Sequence, residues 1–187
     1  MSTTQPDRQP KSALKAYANP ALRPPPSPAP KRVASRGRDR TLTGSHVVEI
    51  NAATPLGIVE MERRGVPGSL VKEMAVKMAV PAVRMFSYLG IPKATVEKKV
   101  AGKEMIAGSG GQAALGMVRL LAIAQAMVQN SDAPDAKGFD SAKWLGQWIE
   151  RPQPALGGRR PAELLDTPTG TGLVARLLGA IESGTYQ

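Results

Sequence analysis

Residues 151–168 read RPQPALGGRRPAELLDTP, and this stretch determines the fold that we predict for the C-terminal part of the chain. The prolines restrict the backbone to turns, and the two adjacent glycines allow positive φ angles there. Pro161 takes the favourable first position of a short helix over 162–165. Thr167-Pro168 combines an N-cap with a proline at the start of a final helix. The stretch therefore predicts a rigid turn followed by two helices.

The final helix is predicted to bury one face and to end close to the last residue. Its apolar residues recur at helical spacing, namely Leu173, Val174, Leu177, Leu178 and Ile181. Gly184 is a natural C-terminal stop. We expect the residues after it, Thr185, Tyr186 and Gln187, to be free and presented to a partner.

Upstream of residue 151 the apolar periodicity also predicts helices. Thr54-Pro55 marks the start of one helix and Gly65 its end, and another helix begins near Ser69. No segment is predicted with confidence to be a strand, and only residues 47–50 form a weak candidate.

Two further helices carry most of the large apolar side chains. Residues 112–129 are apolar nearly all round, with Arg119 as the only charge. Such a helix is buried centrally, and we expect it to be shared between the core and a homodimer surface. A later helix is capped by Asp140 and carries Trp144 and Trp148 one turn apart, which are most simply core anchors.

Residues 82–100 have the dimensions of a helix-turn-helix, with Gly90-Ile91-Pro92 as the turn. Val96 and Val100 are spaced to face inward. Short solvated helices carry lysines routinely, so the pattern fits either a DNA-binding element or a plain amphipathic surface. The side chains that would contact operator DNA are Lys93, Thr95, Lys98, Lys99 and Lys103.

The glycine-rich residues 108–111 precede the long apolar helix. A phosphate cradle would need a preceding strand and a spaced Lys-Ser/Thr, and the sequence has neither. We therefore predict a flexible joint, with Ser109 near the helix start.

The N-terminal segment differs in composition from the rest of the chain. Residues 1–45 contain nine Lys or Arg residues and eight prolines against two Asp residues. Such a segment buries too little apolar surface to offset its ordering entropy, so residues 1–50 are predicted to be a disordered basic arm. His46 is interpreted as a linker residue.

Several functional classes are excluded or disfavoured by composition. The chain has no cysteine and one histidine, so disulfides, Cys-ligated metals and His-based triads are not expected. Glu163 and Asp166 lie beside Arg159 and Arg160, which favours ion pairing over acid–base catalysis. We predict a non-enzymatic binding protein without cofactor or metal. No apolar run of about 18 residues and no secretory h-region were found, so a cytoplasmic protein without membrane contact is expected.

The predicted fold class is all-α. A helix-turn-helix core over residues 54–130, with a dimerisation helix, is followed by a small helical module over 131–187. The net charge of +10 is concentrated in the arm and in residues 63–103. Two basic regions and a near-neutral C-terminal module indicate different partners for different parts of the chain.

Residues 57–187 resemble the Xre/MbcA/ParS antitoxin family. GIVEMERRGVPGSLVKEMAVKMAV (57–80) is similar to its leading helices and FSYLGIPKATVEKKVAGK (86–103) to its helix-turn-helix. FDSAKWLGQWIERPQPALGGRRPAELLDTPTG (139–170) resembles its toxin-binding signature, within which PALGGRRPAELLDT is the specific part. LVARLLGAIESGTYQ (173–187) resembles its closing helix and tail.

The chain departs from that family at two points. The family often has asparagine where this chain has Gln153, and its serine-glutamate helix start is replaced by residues 107–110.

The resemblance implies a type II antitoxin that binds a RES or ParT toxin, which has an ADP-ribosyltransferase-like fold and uses NAD. It also implies a C-terminal end at or near the toxin's NAD site, and repression of its own operon as a homodimer or higher oligomer. The residues expected to bind toxin are Leu156, Gly157, Gly158, Arg159, Arg160, Gly184, Thr185, Tyr186 and Gln187.

Two alternatives stay open at this point. Arg159 and Arg160 either reach acidic groups of a partner or pair with Glu163 and Asp166. The whole chain is either an antitoxin or a stand-alone transcriptional regulator whose C-terminal module only dimerises. A neighbouring gene for a RES-like protein would separate the last two readings.

Overall fold

The computed structural model describes residues 41–131, 136 and 138–182, and most of these residues are helical. The helices are α1 (Leu42–Ala52), α2 (Pro55–Arg64), α3 (Gly68–Lys77), α4 (Ala82–Tyr88), α5 (Lys93–Ala101), α6 (Gly108–Gln129), α7 (Ser141–Trp148) and α8 (Pro168–Glu182). Short 3-10 turns span Pro154–Leu156 and Pro161–Leu164. The all-α prediction is confirmed. The strands β1 (Val66–Pro67) and β2 (Met105–Ile106) form one antiparallel pair too short to leave a sequence pattern.

Local capping fixes several helix starts at the predicted positions. The hydroxyl of Thr54 accepts a hydrogen bond from the amide of Gly57 at 3.1 Å, which caps α2. Thr167 caps α8 in the same way through the Gly170 amide, also at 3.1 Å. Asp140 caps α7 by accepting from the Lys143 amide at 3.0 Å. Each cap satisfies an amide that the first turn of a helix leaves unpaired.

The long helix α6 lies at the centre, and α1, α2, α7 and α8 all pack against it. Its side chains Met117, Val118, Leu120 and Leu121 are 0–1% exposed. One continuous apolar core includes residues from both predicted folded parts. The boundary near residue 130 is therefore not a boundary of packing.

The prediction that the chain has no apolar run of membrane-spanning length was wrong. Within the described residues α6 is long and apolar enough to cross a membrane by length and composition alone. In this fold, 56% of its most apolar window is buried inside the protein. Burial of this kind is what a central core helix requires.

The predicted arm extends too far into the chain. Residues 1–40 lie outside the described residues, but Leu42–Ala52 form α1 instead of disordered chain or a strand. Val47 and Ile50 are buried on one face of α1, which packs against α6. The basic composition of the N-terminal segment led to a prediction of disorder, so the burial of Val47 and Ile50 was not predicted. His46 is a helical residue, with Nδ1 2.8 Å from the carbonyl oxygen of Leu42.

The glycines at 108–111 are helical and do not form a flexible joint. They make the first turn of α6. A Cβ added at Gly111 would overlap the carbonyl oxygen of Ile106, so the strand pair approaches the helix closely there. Gly65 meets the same carbonyl oxygen and has φ 77°. Glycine is needed at these positions for close approach, which the sequence alone did not show.

Glu73 on α3 holds the N-terminus of α1. Its carboxylate accepts hydrogen bonds from the amides of Leu42 at 3.0 Å and Thr43 at 2.7 Å. Partial burial raises the pKa of Glu73, but the hydrogen bonds from Thr43 and Leu42 and the charge of Lys77 outweigh it and lower the pKa overall. The stabilisation is therefore present above the ordinary pKa of 4.5 and is lost as the pH falls through the lowered value.

We expect Glu73→Gln to weaken the docking of α1 by about 1 kcal/mol, a usual cost for a lost helix cap. Hydrogen exchange at neutral pH should show faster exchange of the α1 amides, with those of α7 unchanged. Glu60→Gln, on the exposed side of α2, is the matched control and should change neither. Equal α1 exchange in the Glu73 variant and the wild type would contradict this role.

Candidate functional site

Residues 153–160 form a closed turn after α7, which we call the glycine turn. The amide of Gln153 donates to the carbonyl oxygen of Arg159 at 3.0 Å. In return, the carbonyl oxygen of Gln153 accepts from the amides of Leu156 and Gly158, both at 3.0 Å. These bonds tie both ends of the turn together and make it a fixed structure.

Gly157 and Gly158 lie at the exposed end of this turn. Their φ angles are 64° and 81°, in the left-handed region that favours glycine. A Cβ built at either residue meets nothing within 4 Å. The two glycines are therefore required by the backbone, and the space outside them is open to a partner.

The turn brings together all the predicted toxin-binding residues that precede α8, although they differ in exposure. Leu156 is half-buried and packs against the core, whereas Arg159 is exposed. The other predicted residues, Gly184, Thr185, Tyr186 and Gln187, lie outside the described residues.

Arg160 pairs with Glu163, as one of the two readings of the sequence expected. Its Nε donates to Oε1 of Glu163 at 2.7 Å. That hydrogen bond raises the pKa of Arg160 and lowers the pKa of Glu163. Neither Arg159 nor Asp166 forms an ion pair within residues 41–131, 136 and 138–182. The two arginines are therefore not equivalent: within the described residues only Arg160 forms an ion pair, whereas the charge of Arg159 acts on Glu163 without one.

Glu150, just before the glycine turn, contacts helix α4. It accepts from the hydroxyl of Tyr88 at 2.7 Å and from Arg84 at 3.1 Å, both on α4. Burial and the hydrogen bond to Glu150 raise the pKa of Tyr88 to about 12. Besides Glu163, Glu150 contributes to the raised pKa of Arg160, so these groups share one surface. Glu150 lies 62 residues from Tyr88 and 66 residues from Arg84 in the sequence, so no local pattern predicts this contact.

The predicted helix pair is present as α4 and α5. Val96 is fully buried and Val100 is half-buried against the core, as their spacing predicted. The turn between the helices includes Gly90 with φ 62°. The side of α5 opposite Val96 and Val100 therefore faces away from the core.

The five residues predicted to bind DNA lie on or just after α5, but their charges are not equally available. Lys93 pairs with Glu97 at 3.6 Å, and Lys99 pairs with Glu104 at 2.6 Å. The remaining three residues are exposed, and in the described part of the chain none of them forms an ion pair. These three are Thr95, Lys98 and Lys103.

The tryptophans of α7 stack on one another at the edge of the core. Their ring centroids are 5.9 Å apart, and Trp148 is 3% exposed. Trp144 is half-buried, and its ring centroid lies 6.4 Å from that of the exposed Phe139. Trp148 is the core anchor that the sequence predicted, whereas Trp144 lies nearer the surface.

Comparison with known proteins assigns the segment that contains the glycine turn. Residues 138–184 match the family described as the antitoxin Xre/MbcA/ParS C-terminal toxin-binding domain. A curated relative, the Prs ADP-ribosylating antitoxin of Sphingobium sp. (strain YBL2), is 35% identical over 134 residues, which are 72% of this chain and 83% of the relative. The chain belongs to the Xre/MbcA/ParS antitoxin family. It is thus an antitoxin of a toxin–antitoxin system, and a cognate toxin is its partner.

The match places α7, the glycine turn and α8 of the antitoxin in the toxin-binding domain. The helix pair α4–α5 lies outside residues 138–184. The matched domain nevertheless packs on the rest of the antitoxin through α6, which contacts α8 extensively. The matched toxin-binding domain and the basic helix α5 therefore share one apolar core.

Gln153 is the residue of the antitoxin's turn that the sequence analysis failed to assign. It is 2% exposed, and its side-chain Nε2 donates to the carbonyl oxygen of Arg151 at 3.1 Å. In the sequence, Gln153 was marked by its place between Pro152 and Pro154 and by its departure from the family's usual asparagine. Buried amides are rare without a hydrogen-bonding role, but burial itself is not visible in the sequence.

Proposed function

We propose that the antitoxin inhibits an NAD-using toxin of the RES or ParT kind by docking the glycine turn on it. The observation that carries this proposal is the geometry of the turn, which is closed by its own hydrogen bonds and open to solvent at Gly157 and Gly158. A preformed turn loses little conformational entropy on binding, so more of the contact energy is available as affinity. Arg159, exposed and unpaired in the described structure, offers a guanidinium to acidic groups of the toxin.

The residues after α8 complete the proposed inhibitory surface. Gly184, Thr185, Tyr186 and Gln187 follow the helix and carry an aromatic ring and several hydrogen-bonding groups. An NAD cleft accepts an anionic, partly aromatic ligand, so this tail has matching chemistry. In the proposed complex the tail lies at or near the NAD site while the turn and the flanking helices supply affinity.

We propose no reaction for the antitoxin itself. The acidic groups beside the turn are engaged in structural contacts, Glu150 with Tyr88 and Arg84, and Glu163 with Arg160. Within the described residues there is also no cluster of three potential metal ligands. The proposed complex needs no cofactor on the antitoxin side, and we propose that it acts in the cytoplasm, where an NAD-using toxin and operator DNA would both be available.

Co-expression with the toxin encoded beside this gene tests the proposal directly. We expect a tagged antitoxin to co-purify the toxin at a fixed ratio and to suppress its NAD-dependent activity. Arg159→Glu should reduce recovery of the complex, because an acidic toxin surface would then face a like charge. The matched control Arg63→Glu, an exposed residue of α2 outside the matched domain, should retain it. Absence of any complex with the wild-type chain would favour the stand-alone regulator.

A second proposed function is repression of the antitoxin's own operon. Lys98 on α5 and Lys103 just after it are exposed, and neither forms an ion pair in the described part of the chain. Lysines in this position contact phosphates and steer the protein to DNA, with the basic residues of the N-terminal segment adding salt-dependent affinity. Operator binding by such helix pairs generally uses two copies, so we propose a homodimer or higher oligomer as the repressing form.

A further inference from the structure

The glycine turn uses its amide groups internally. Four consecutive amides donate to carbonyl oxygens of the same turn, at distances of 3.0, 2.9, 3.0 and 3.3 Å. The donors are Leu156, Gly157, Gly158 and Arg159. A glycine-rich turn that binds an anion must point free amides at it, so this turn is not built for a phosphate or carboxylate.

The carbonyl oxygens at the tip of the turn differ from its amides in their hydrogen bonding. Among the described residues, none donates a hydrogen bond to the carbonyl oxygen of Gly157 or of Gly158. Both residues are exposed, and the space where their side chains would stand is empty for 4 Å. The tip therefore presents hydrogen-bond acceptors without side chains to keep another main chain away.

Gln153 keeps this tip in one conformation. Its main chain makes three of the bonds that close the turn, and its buried side-chain amide ties the turn to Arg151. Since the side chain is 2% exposed, it is unavailable to a partner. It acts on any partner only through the shape of the turn.

We propose that the carbonyl oxygens of Gly157 and Gly158 accept hydrogen bonds from backbone amides of a main-chain segment of the toxin, and that Gln153 is the positioning residue for this contact. The inference rests on the proposed function, since it names how the turn meets the toxin. Paired main chains lie about 4.8 Å apart, and a main chain that approaches the tip from the side of the missing Cβ atoms meets no side chain of Gly157 or Gly158 there. Glycine at both tip positions permits that approach.

Gly157→Asn tests the contact with the full-length chain. Asparagine tolerates the left-handed conformation of Gly157, so the turn is kept while a side chain enters the open space. We expect its dissociation constant for the toxin, measured by titration calorimetry, to rise about tenfold or more. Gly108→Asn is the matched control, because Gly108 has φ 67° and equally open surroundings at the start of α6. The affinity of the Gly108→Asn variant for the toxin should equal that of the wild-type chain.

Variants of Gln153 test the positioning role. Gln153→Leu keeps a buried side chain of similar size but loses the bond to Arg151, so only a fraction of molecules hold the binding conformation. We expect the apparent affinity to fall in proportion to that fraction and the binding entropy to become less favourable. Both are measured well below the melting temperature of the variant. Gln153→Asn, which keeps the amide, should restore most of the affinity.

The outcomes separate the two proposals. If the wild-type chain forms no complex with the toxin, the proposed function itself is wrong. If it does, and Gly157→Asn binds as tightly as Gly108→Asn, the main-chain contact is overturned while the proposed function stands. Equal loss in both asparagine variants would also overturn it. Unchanged affinity and entropy in Gln153→Leu would remove the positioning role.

Discussion

A chain ending at Ser183 is expected to lose most of its inhibition of the toxin while still forming a complex with it. The truncation removes Gly184 to Gln187 but leaves α8, whose buried residues Val174 and Leu178 hold the toxin-binding domain on α6. An aromatic anchor in a desolvated pocket contributes about 2 kcal/mol or more to binding, so the inhibition constant should rise about 30-fold or more. NAD turnover or ADP-ribosyl transfer by the toxin gives the measurement.

A full-length chain with the last four residues in reversed order provides the control for length and charge. It should inhibit as poorly as the truncated chain, because the reversal moves the aromatic ring of Tyr186 and the amide of Gln187 towards α8. If the chain ending at Ser183 inhibits the toxin as well as the full chain does, the tail does not occupy the NAD site. Inhibition would then belong to the glycine turn and the helices beside it.

The second large effect is expected for operator DNA. The combined variant Lys98→Ala, Lys103→Asn should weaken operator binding about tenfold or more and lower the salt slope by about two, one for each lost phosphate contact. Asparagine is chosen at position 103 because Lys103 has φ 52°, which asparagine tolerates better than alanine. Lys99→Ala should have a smaller effect, since Lys99 is already bonded to Glu104.

Binding curves at several salt concentrations measure both quantities. Lys143→Ala, which removes an exposed lysine of α7 paired with Asp140, is the matched control and should leave the curves unchanged. Unaltered binding and salt slope in the combined variant would show that α5 does not meet the DNA backbone. The antitoxin would then regulate its operon, if at all, through another basic region.

Features that depend on neighbouring residues were predicted well. The caps at Thr54, Asp140 and Thr167 act over three residues, so their chemistry is fully contained in a short stretch of sequence. The face of α5 follows from the spacing of Val96 and Val100 in the same way. The residues of the glycine turn are adjacent in the chain, so their grouping also required no tertiary information.

Features that depend on distant partners were missed or assigned wrongly. The availability of each lysine on α5 depended on acidic partners such as Glu104, which is not part of the helix. The link from Glu150 to Tyr88 joins residues that only folding brings together. Helix α1 was predicted to be disordered because the residues that stabilise it, Glu73 and the core face of α6, lie far along the chain.

The sequence by itself determined the all-α class, most helix starts and the turn within residues 151–168, because caps, periodicity and the proline-glycine pattern are local properties. That these residues belong to a toxin-binding segment followed from their resemblance to the antitoxin family. Only the tertiary structure decided that Gln153 is buried within the turn, that Arg160, and not Arg159, forms an ion pair within the described residues, and that the tip presents carbonyl oxygens. These outcomes depend on which groups folding places within hydrogen-bonding distance and which it removes from water. No residue carries that information on its own.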